Sequence, residues 1–296
     1  MSKSVLNVAG FSIIKRIGNG ARTIIYEATD LQNKQNVALK RVIYKDFQDS
    51  RIFEQIQTEY DVARKINHPY VRKCFKLKKI RKMFKVKEML LSMELFDGKS
   101  LEESQTLSLV DIIVIFRMVA SGLNAMHQHG YVHSDIKPNN ILMDNSGTIK
   151  IIDLGQSCKI GTIKPRIQGT PDYIAPEQVR RNPLGPKTDL FNLGATMYWA
   201  LSGETIPTLI PKKNEHGLII LKEKIPPHKI RKQIPIPLSK LVMDCVEDDP
   251  AKRPDNMMTV VSRLDLMVHS ILGDKIKTFK NGANNNRFAK QGHKSQ

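Results

Sequence analysis

The chain has 296 residues, with 47 lysines and arginines against 29 acidic residues, a formal net charge of +18 and 41% hydrophobic residues. That apolar content supplies a large core and excludes a disordered polyelectrolyte, and the length exceeds one average domain. Cys74, Cys158 and Cys245 are odd in number, far apart and without CxxC spacing, which excludes a disulfide framework and a cysteine zinc site and points to a reducing compartment.

Residues 1–10 read as an N-terminal extension without the sustained apolar stretch of an export signal. The run IIKRI then precedes GNGART at 18–23, and IIYEA follows it. This pattern predicts a glycine-rich hairpin between two strands, in which Gly18 and Gly20 let backbone amides approach a phosphate. VALK at 37–40 reads as the next strand, and IFEQIQTEYDVARKI as a helix carrying Glu59. KCFKLKKIRKMFKVKEMLLSMEL reads as two strands with a bend near Met83 and Phe84. Nine of the residues from Arg72 to Lys87 are lysine or arginine, which suits either a solvated face or an acidic partner.

LFDGKSL at 95–101 contains the turn pair Asp97-Gly98 and reads as a linker to a mainly helical second part. The most apolar helix of that part, LVDIIVIFRMVASGL, is interrupted by Asp111 and Arg117, which argues against a membrane span. Together with the missing export signal, this predicts a soluble cytoplasmic protein with no membrane partner. Residues 274–296 carry six cations and one acid among asparagine, glycine and glutamine, and are expected to form a basic, disordered tail.

The densest chemistry lies in HSDIKPNNIL at 133–142 and DLG at 153–155. Asp135 offers a carboxylate to accept a proton, Lys137 a cation for a transferring phosphate, and Asn140 and Asp153 ligands for a metal. Phosphoryl transfer needs that inventory, because its charged transition state is stabilised mainly by positioning and by cations. GTPDYIAPE, TDLFNLG at 188–194 and DPAKRP at 249–254 follow in order.

This ordered set, over roughly residues 11–270, resembles the eukaryotic-type (Hanks-type) serine/threonine protein kinases, bacterial members in particular. The resemblance implies an α+β, two-lobed fold: a small β-rich N-lobe over 11–93, a hinge over 94–98 and a larger, mainly helical C-lobe over 99–273. It implies ATP with Mg2+ or Mn2+ as cofactors. Lys40, held by Glu59, is expected to orient the α and β phosphates. Asp135 is expected to accept the proton of a substrate hydroxyl, and Lys137 to neutralise the transferring group. Asn140 and Asp153 are the expected metal ligands. The nucleotide is expected against Ile17, Gly18, Asn19, Gly20, Ala21, Arg22 and Thr23. Ile25, Ala38 and Leu142 would sandwich the ring beside the gatekeeper Met93, with hinge contacts from Glu94 to Phe96. Glu177 and Arg253 are the expected buried ion pair of the substrate-binding half.

Lys137 and Thr170 resemble the serine/threonine-specific group, although Thr-Pro-Asp can also form a simple turn. Protein serines and threonines are the implied substrates, acidic partners suit the basic surface and tail, and no specific nucleic-acid site is implied. Departures from the family pattern are Thr23 at the third loop glycine, DLG in place of DFG, and Ser134 where an arginine usually stands. Serine cannot anchor a phosphate on the activation segment as a guanidinium does. A pseudokinase scaffold and a nucleic-acid binder are the alternative classes, and neither accounts for the retained Lys40, Glu59, Asp135, Asn140 and Asp153.

Overall fold

In the computed structural model, which describes residues 7–19, 22–46, 49–104, 107–210, 212–213, 219–220 and 223–270, the apolar runs before residue 95 build one antiparallel sheet. Its strands are β1 (Asn7–Val8), β2 (Phe11–Asn19), β3 (Ile24–Asp30), β4 (Asn36–Ile43), β5 (Cys74–Lys82) and β6 (Lys85–Glu94), in spatial order β1-β2-β3-β4-β6-β5. Side chains alternate between the two faces of a strand. Val37, Leu39 and Leu90 therefore join Phe11 and Ala28 on one face, while Ala38, Val42, Met89, Leu91 and Met93 pack on the other against Ile56 of helix α1 (Asp49–Ala63).

Two boundaries differ from the sequence expectation. The sheet begins at Asn7, inside the expected extension, because Ala9 and Gly10 adopt positive φ (47° and 91°) and turn Val8 back onto the apolar face of β2. The linker carries no turn at Asp97-Gly98. Gly98 is required there for space, since a Cβ on it would lie 2.6 Å from Phe96 and 2.7 Å from the Met143 carbonyl oxygen. The bend at Met83 and Phe84 is as expected, and both residues are left-handed (φ 46° and 66°). That primed two-residue turn matches the twist of the flanking strands.

Beyond the hinge, β7 (Lys99–Ser100) leads into α2 (Leu109–Gln128), followed by β8 (Tyr131–Val132), β9 (Ile141–Met143), β10 (Ile149–Ile151) and β11 (Cys158–Lys159). β7, β9 and β10 form a small sheet, and β11 pairs with β8. Helices α3 (Pro176–Arg180), α4 (Pro186–Ser202), α5 (Pro227–Ile230), α6 (Ile236–Cys245) and α7 (257–270) complete the larger lobe. Residues 1–6, Gly20, Ala21 and the tail beyond residue 270 lie outside the described residues.

Helix α2, 20 residues long, is long and apolar enough to cross a membrane, with mean hydropathy 1.7 over an 18-residue stretch. Its apolar side chains instead form the core of the larger lobe, where Ile113, Phe116, Val119 and Leu123 are buried. The charges that break its apolar run have local work. Asp111 closes a capping box with Ser108, accepting from its backbone nitrogen at 3.1 Å while the Ser108 hydroxyl accepts from that of Asp111 at 3.2 Å. Arg117 pairs with Asp265 of α7.

One ion pair ties the first turn of α3 to the loop after α6. Arg253, 2% exposed, donates Nη1 and Nη2 to Glu177 Oε1 and Oε2 at 2.7 and 3.0 Å, and reaches the Glu247 and Lys187 carbonyls at 2.8 and 2.7 Å. With these donors satisfied the pair is tolerable, but either charge alone is not. Arg253→Ala should therefore cost about 3–5 kcal/mol, because it strands the Glu177 carboxylate. Thermal unfolding of the variant checks this, and a wild-type melting temperature would contradict it.

Candidate active site

The catalytic loop is hung from a buried carboxylate. Asp189, in the first turn of α4 and fully buried, accepts the backbone N–H groups of His133 (2.9 Å) and Ser134 (2.7 Å) and lies 2.8 Å from His127 Nε2. Burial disfavours its charge, but the His127 contact and the backbone donors outweigh that and hold its pKa below the usual carboxylate range. Fixed in this way, Ser134 adopts a left-handed conformation (φ 61°) and directs the next residue, Asp135, into the cleft.

Asp135 is met from several sides. Its Oδ1 accepts the Thr170 hydroxyl at 2.9 Å and the Thr170 backbone N–H at 3.1 Å, and its Oδ2 lies 3.1 Å from Lys137 Nζ. Lys137 also donates to the Thr170 hydroxyl at 2.7 Å. Asn140 Nδ2 donates to the Asp135 carbonyl at 2.8 Å, so its amide oxygen is the end left for a cation. The turn at Thr170 exists as well, with Tyr173 N–H donating to its carbonyl at 2.9 Å, so the two readings of this threonine coexist.

Across the cleft, Lys40 Nζ lies 2.6 Å from Glu59 Oε2 and 3.5 Å from Asp153 Oδ1. Burial works against the Lys40 charge, yet the two carboxylates overcome it and raise its pKa above the ordinary lysine range. Lys40 in turn depresses the pKa of Asp153. Asp153 is itself left-handed (φ 60°). The helical turn Leu154–Gln156 that follows packs under α1, and a Cβ on Gly155 would lie 3.1 Å from Gln55 Cβ. Absence of a side chain at Gly155 thus lets α1 seat, which brings Glu59 to Lys40.

The expected nucleotide residues are partly assembled. Gly18 pairs with Ile25 and Asn19 with Ile24 in the β2–β3 ladder, Ile17 is exposed, and Thr23 precedes β3. Arg22 pairs with Asp46 at 2.7 Å. Ile25 and Leu142 are half-buried, Glu94 ends β6 and Phe96 follows it. Ala38 and Met93 face each other across β4 and β6 with no exposed surface. They pack with Leu91 and with Ile56 of α1 in one apolar cluster, against which Ile25 lies.

Sequence reading missed the residues that hold the hinge. Arg72, counted with the basic hairpin, is buried; its Nε donates to the Glu94 carbonyl at 3.1 Å and its backbone N–H to Ile151 at 3.1 Å. Burial lowers its pKa against the carboxylates of Glu59, Glu94 and Asp153. Lys150, also buried, pairs with Glu94 Oε1 at 2.7 Å. The available signal was a lysine inside the apolar run IKII, where a charge demands a partner. Gln178 was missed too; its Nε2 donates to the Ser134 carbonyl at 2.8 Å.

A family profile described as "Protein kinase domain" matches residues 11–263. The chain is 26% identical over 277 residues to a protein of Clostridium acetobutylicum named "Probable serine/threonine-protein kinase", covering 89% of this chain and 41% of that protein. It is 27% identical to the serine/threonine-protein kinase dst1 of Dictyostelium discoideum, over 92% of this chain and 37% of that one. It is also 27% identical to the serine/threonine-protein kinase PknD of Chlamydia abortus, over 82% and 29% respectively. The chain thus spans less than half the length of each of these relatives.

Since Arg72 orients the Glu94 carbonyl, Arg72→Met should raise the KM for an adenine nucleotide about three- to tenfold, the worth of one hydrogen bond of roughly 0.5–1.5 kcal/mol, with a smaller change in kcat. Steady-state kinetics check this. An unchanged KM would show that strand pairing alone sets the hinge.

Proposed function

The chain belongs to the protein kinase domain family, and from that premise we propose that it is a serine/threonine protein kinase, transferring the γ-phosphoryl group of ATP to serine and threonine hydroxyls of proteins. The observation that carries this reading is Thr170 bridging Asp135 and Lys137 at 2.9 and 2.7 Å while Lys40 is paired with Glu59 at 2.6 Å. No catalytic role is left without a residue, which disfavours a scaffold that only binds partners.

The donor set suits magnesium. Asp153 presents an ionised, half-exposed carboxylate and Asn140 an amide oxygen, and no cluster of three histidine, cysteine or acidic side chains exists among the described residues. Magnesium is held in that manner, by one or two protein oxygens together with substrate phosphates. When bound, it supplies positive charge to the phosphate oxygens.

The chain's own residues supply the rest. Lys40, kept charged and held by Glu59, orients the α and β phosphates by charge-assisted hydrogen bonds. Asp135 takes the proton of the entering hydroxyl, and Lys137, within 3.1 Å of it, faces the group in transfer. The three unpaired cysteines are in keeping with a reducing, cytoplasmic setting.

Asp135→Asn should lower turnover at least about a hundredfold while leaving nucleotide binding nearly intact, because the base acts on the hydroxyl. Incubation with labelled ATP, magnesium and a generic protein substrate, followed by phosphoamino-acid analysis, checks both reaction and residue. Undiminished turnover in the variant would remove Asp135 from its role.

Ser134 bears on regulation. Its hydroxyl donates to the Gln156 carbonyl at 2.8 Å, a neutral bond that ties the activation segment to the catalytic loop, and Lys164 Nζ donates to the same oxygen at 2.8 Å. Of the serine and threonine hydroxyls between Asp153 and Glu177, Ser157 is buried and Thr170 is engaged by Asp135 and Lys137, which leaves Thr162. Phosphatase-treated enzyme, assayed at early times, should keep its specific activity within about tenfold, or 1.4 kcal/mol in the barrier. A larger loss would show that a cation such as Lys164 anchors a phosphate there.

A further inference from the structure

The β5–β6 hairpin ends in a point of unusual composition. Met83 and Phe84 are 85% and 101% exposed, more than any other large apolar side chain among the described residues. Their left-handed backbone makes them the two central residues of the turn, so both side chains stand at the apex. Directly behind the apex come Arg81, Lys82 and Lys85, all exposed and without an ion pair or side-chain hydrogen bond among the described residues. Lys82 is the cross-strand partner of Lys85. Like charges facing each other are destabilising, and nothing in the described structure relieves them.

An arrangement of this kind costs stability and solubility unless a surface outside the chain uses it. That surface must accept an apolar point and surround it with negative charge. Single-stranded nucleic acid meets the second requirement, but Met83 and Phe84 protrude from a convex tip and form no stacking platform in a groove. A protein partner would need a pocket shaped for them. The boundary between headgroups and acyl chains of an anionic bilayer meets both requirements with no shape match, since it admits apolar side chains while phosphates hold the cations outside.

We propose that the β5–β6 hairpin docks this protein onto anionic phospholipid membranes, with Met83 and Phe84 entering the interface and Arg81, Lys82 and Lys85 binding headgroup phosphates. This departs from the expectation of a chain without a membrane partner, which considered only spanning segments and export signals. Docking is compatible with catalysis. β6 runs from Lys85 at the tip to Glu94 at the hinge, about 30 Å at roughly 3.3 Å per residue, so a membrane at the tip leaves the cleft open.

The test is co-sedimentation of the full chain with phosphatidylcholine vesicles with and without phosphatidylserine. Met83→Asn with Phe84→Gly removes the apolar point but installs a dipeptide that favours this turn, so the variant keeps the hairpin. Arg81→Gln, Lys82→Gln and Lys85→Gln together remove the cations, each worth about fivefold in binding near an anionic surface. The proposal expects binding that requires phosphatidylserine, falls at least tenfold in the Asn-Gly variant and falls further in the triple variant, with activity on a soluble substrate unchanged in both. Failure of the wild type to bind overturns it. So does equal binding by wild type and both variants, which would place the contact elsewhere on this basic chain. An Asn-Gly variant that binds like wild type overturns it too, because the contact would then be charge alone. A parallel titration with single-stranded RNA covers the competing partner: loss of RNA affinity in the hairpin variants with vesicle binding intact would assign the surface to nucleic acid.

Discussion

The catalytic geometry depends on one buried carboxylate with enough donors. Asp189 is removed from water, and an ion there survives only because His127 and two backbone N–H groups take up its lone pairs. Those same bonds hold Ser134 in a left-handed conformation that costs on the order of 1–3 kcal/mol for a residue with a side chain. The strain has a use: it turns the chain so that Asp135 points at Thr170 and Lys137 while the Ser134 carbonyl remains available to Gln178. Helix α4 thereby sets the base from below, and its burial in the lobe core keeps that support rigid.

A second constraint joins the lobes. The segment leading into β5 crosses to the larger lobe, where Val71 bridges Ile151 and Tyr70 accepts from the Ile151 backbone N–H at 2.8 Å. Arg72 and Lys150 then reach back to Glu94 from opposite lobes, one to its carbonyl and one to its carboxylate. Two residues beyond Ile151 lies Asp153, beside Lys40. Hinge, metal-ligand candidate and phosphate-orienting lysine are therefore mechanically connected through a few residues of β10 and the strand that follows the His68-Pro69 turn. Opposite charges balance within this group, with the buried Arg72 and Lys150 and the largely buried Lys40 set against the buried Glu59 and the partly exposed Glu94 and Asp153, so each buried cation has a carboxylate near it.

Serine at position 134 changes what kind of contact ties the activation segment to the loop. A guanidinium in that place would be a buried charge awaiting an anion. Ser134 and Lys164 instead share the Gln156 carbonyl, and β11 pairs with β8 a few residues on. These are backbone-directed bonds of modest individual worth, about 0.5–1.5 kcal/mol for a neutral one, and they need no modification to form.

By itself the sequence determined what is carried by contiguous or regularly spaced residues. The motifs from GNGART to DPAKRP and the hairpin bend at Met83 follow from local spacing and residue chemistry, and the family resemblance that those motifs carry implied the two-lobed α+β architecture and the pairing of Thr170 with Asp135 and Lys137. The turn assigned to Asp97-Gly98 did not, because the same glycine also serves where two chain segments approach too closely for a Cβ, and only Met143 in place shows which applies. Burial of Ala38 and Met93, and the strand at Asn7, were likewise decided by neighbours distant in the chain. Arg72 makes the distinction sharpest. Within a run of lysines and arginines it looks like its neighbours, and it became a hinge residue only when folding brought Glu94 and Ile151 to it. Tertiary structure decides such roles because a charge acquires its function from the partners that remain when water is excluded, and those partners are set by long-range packing.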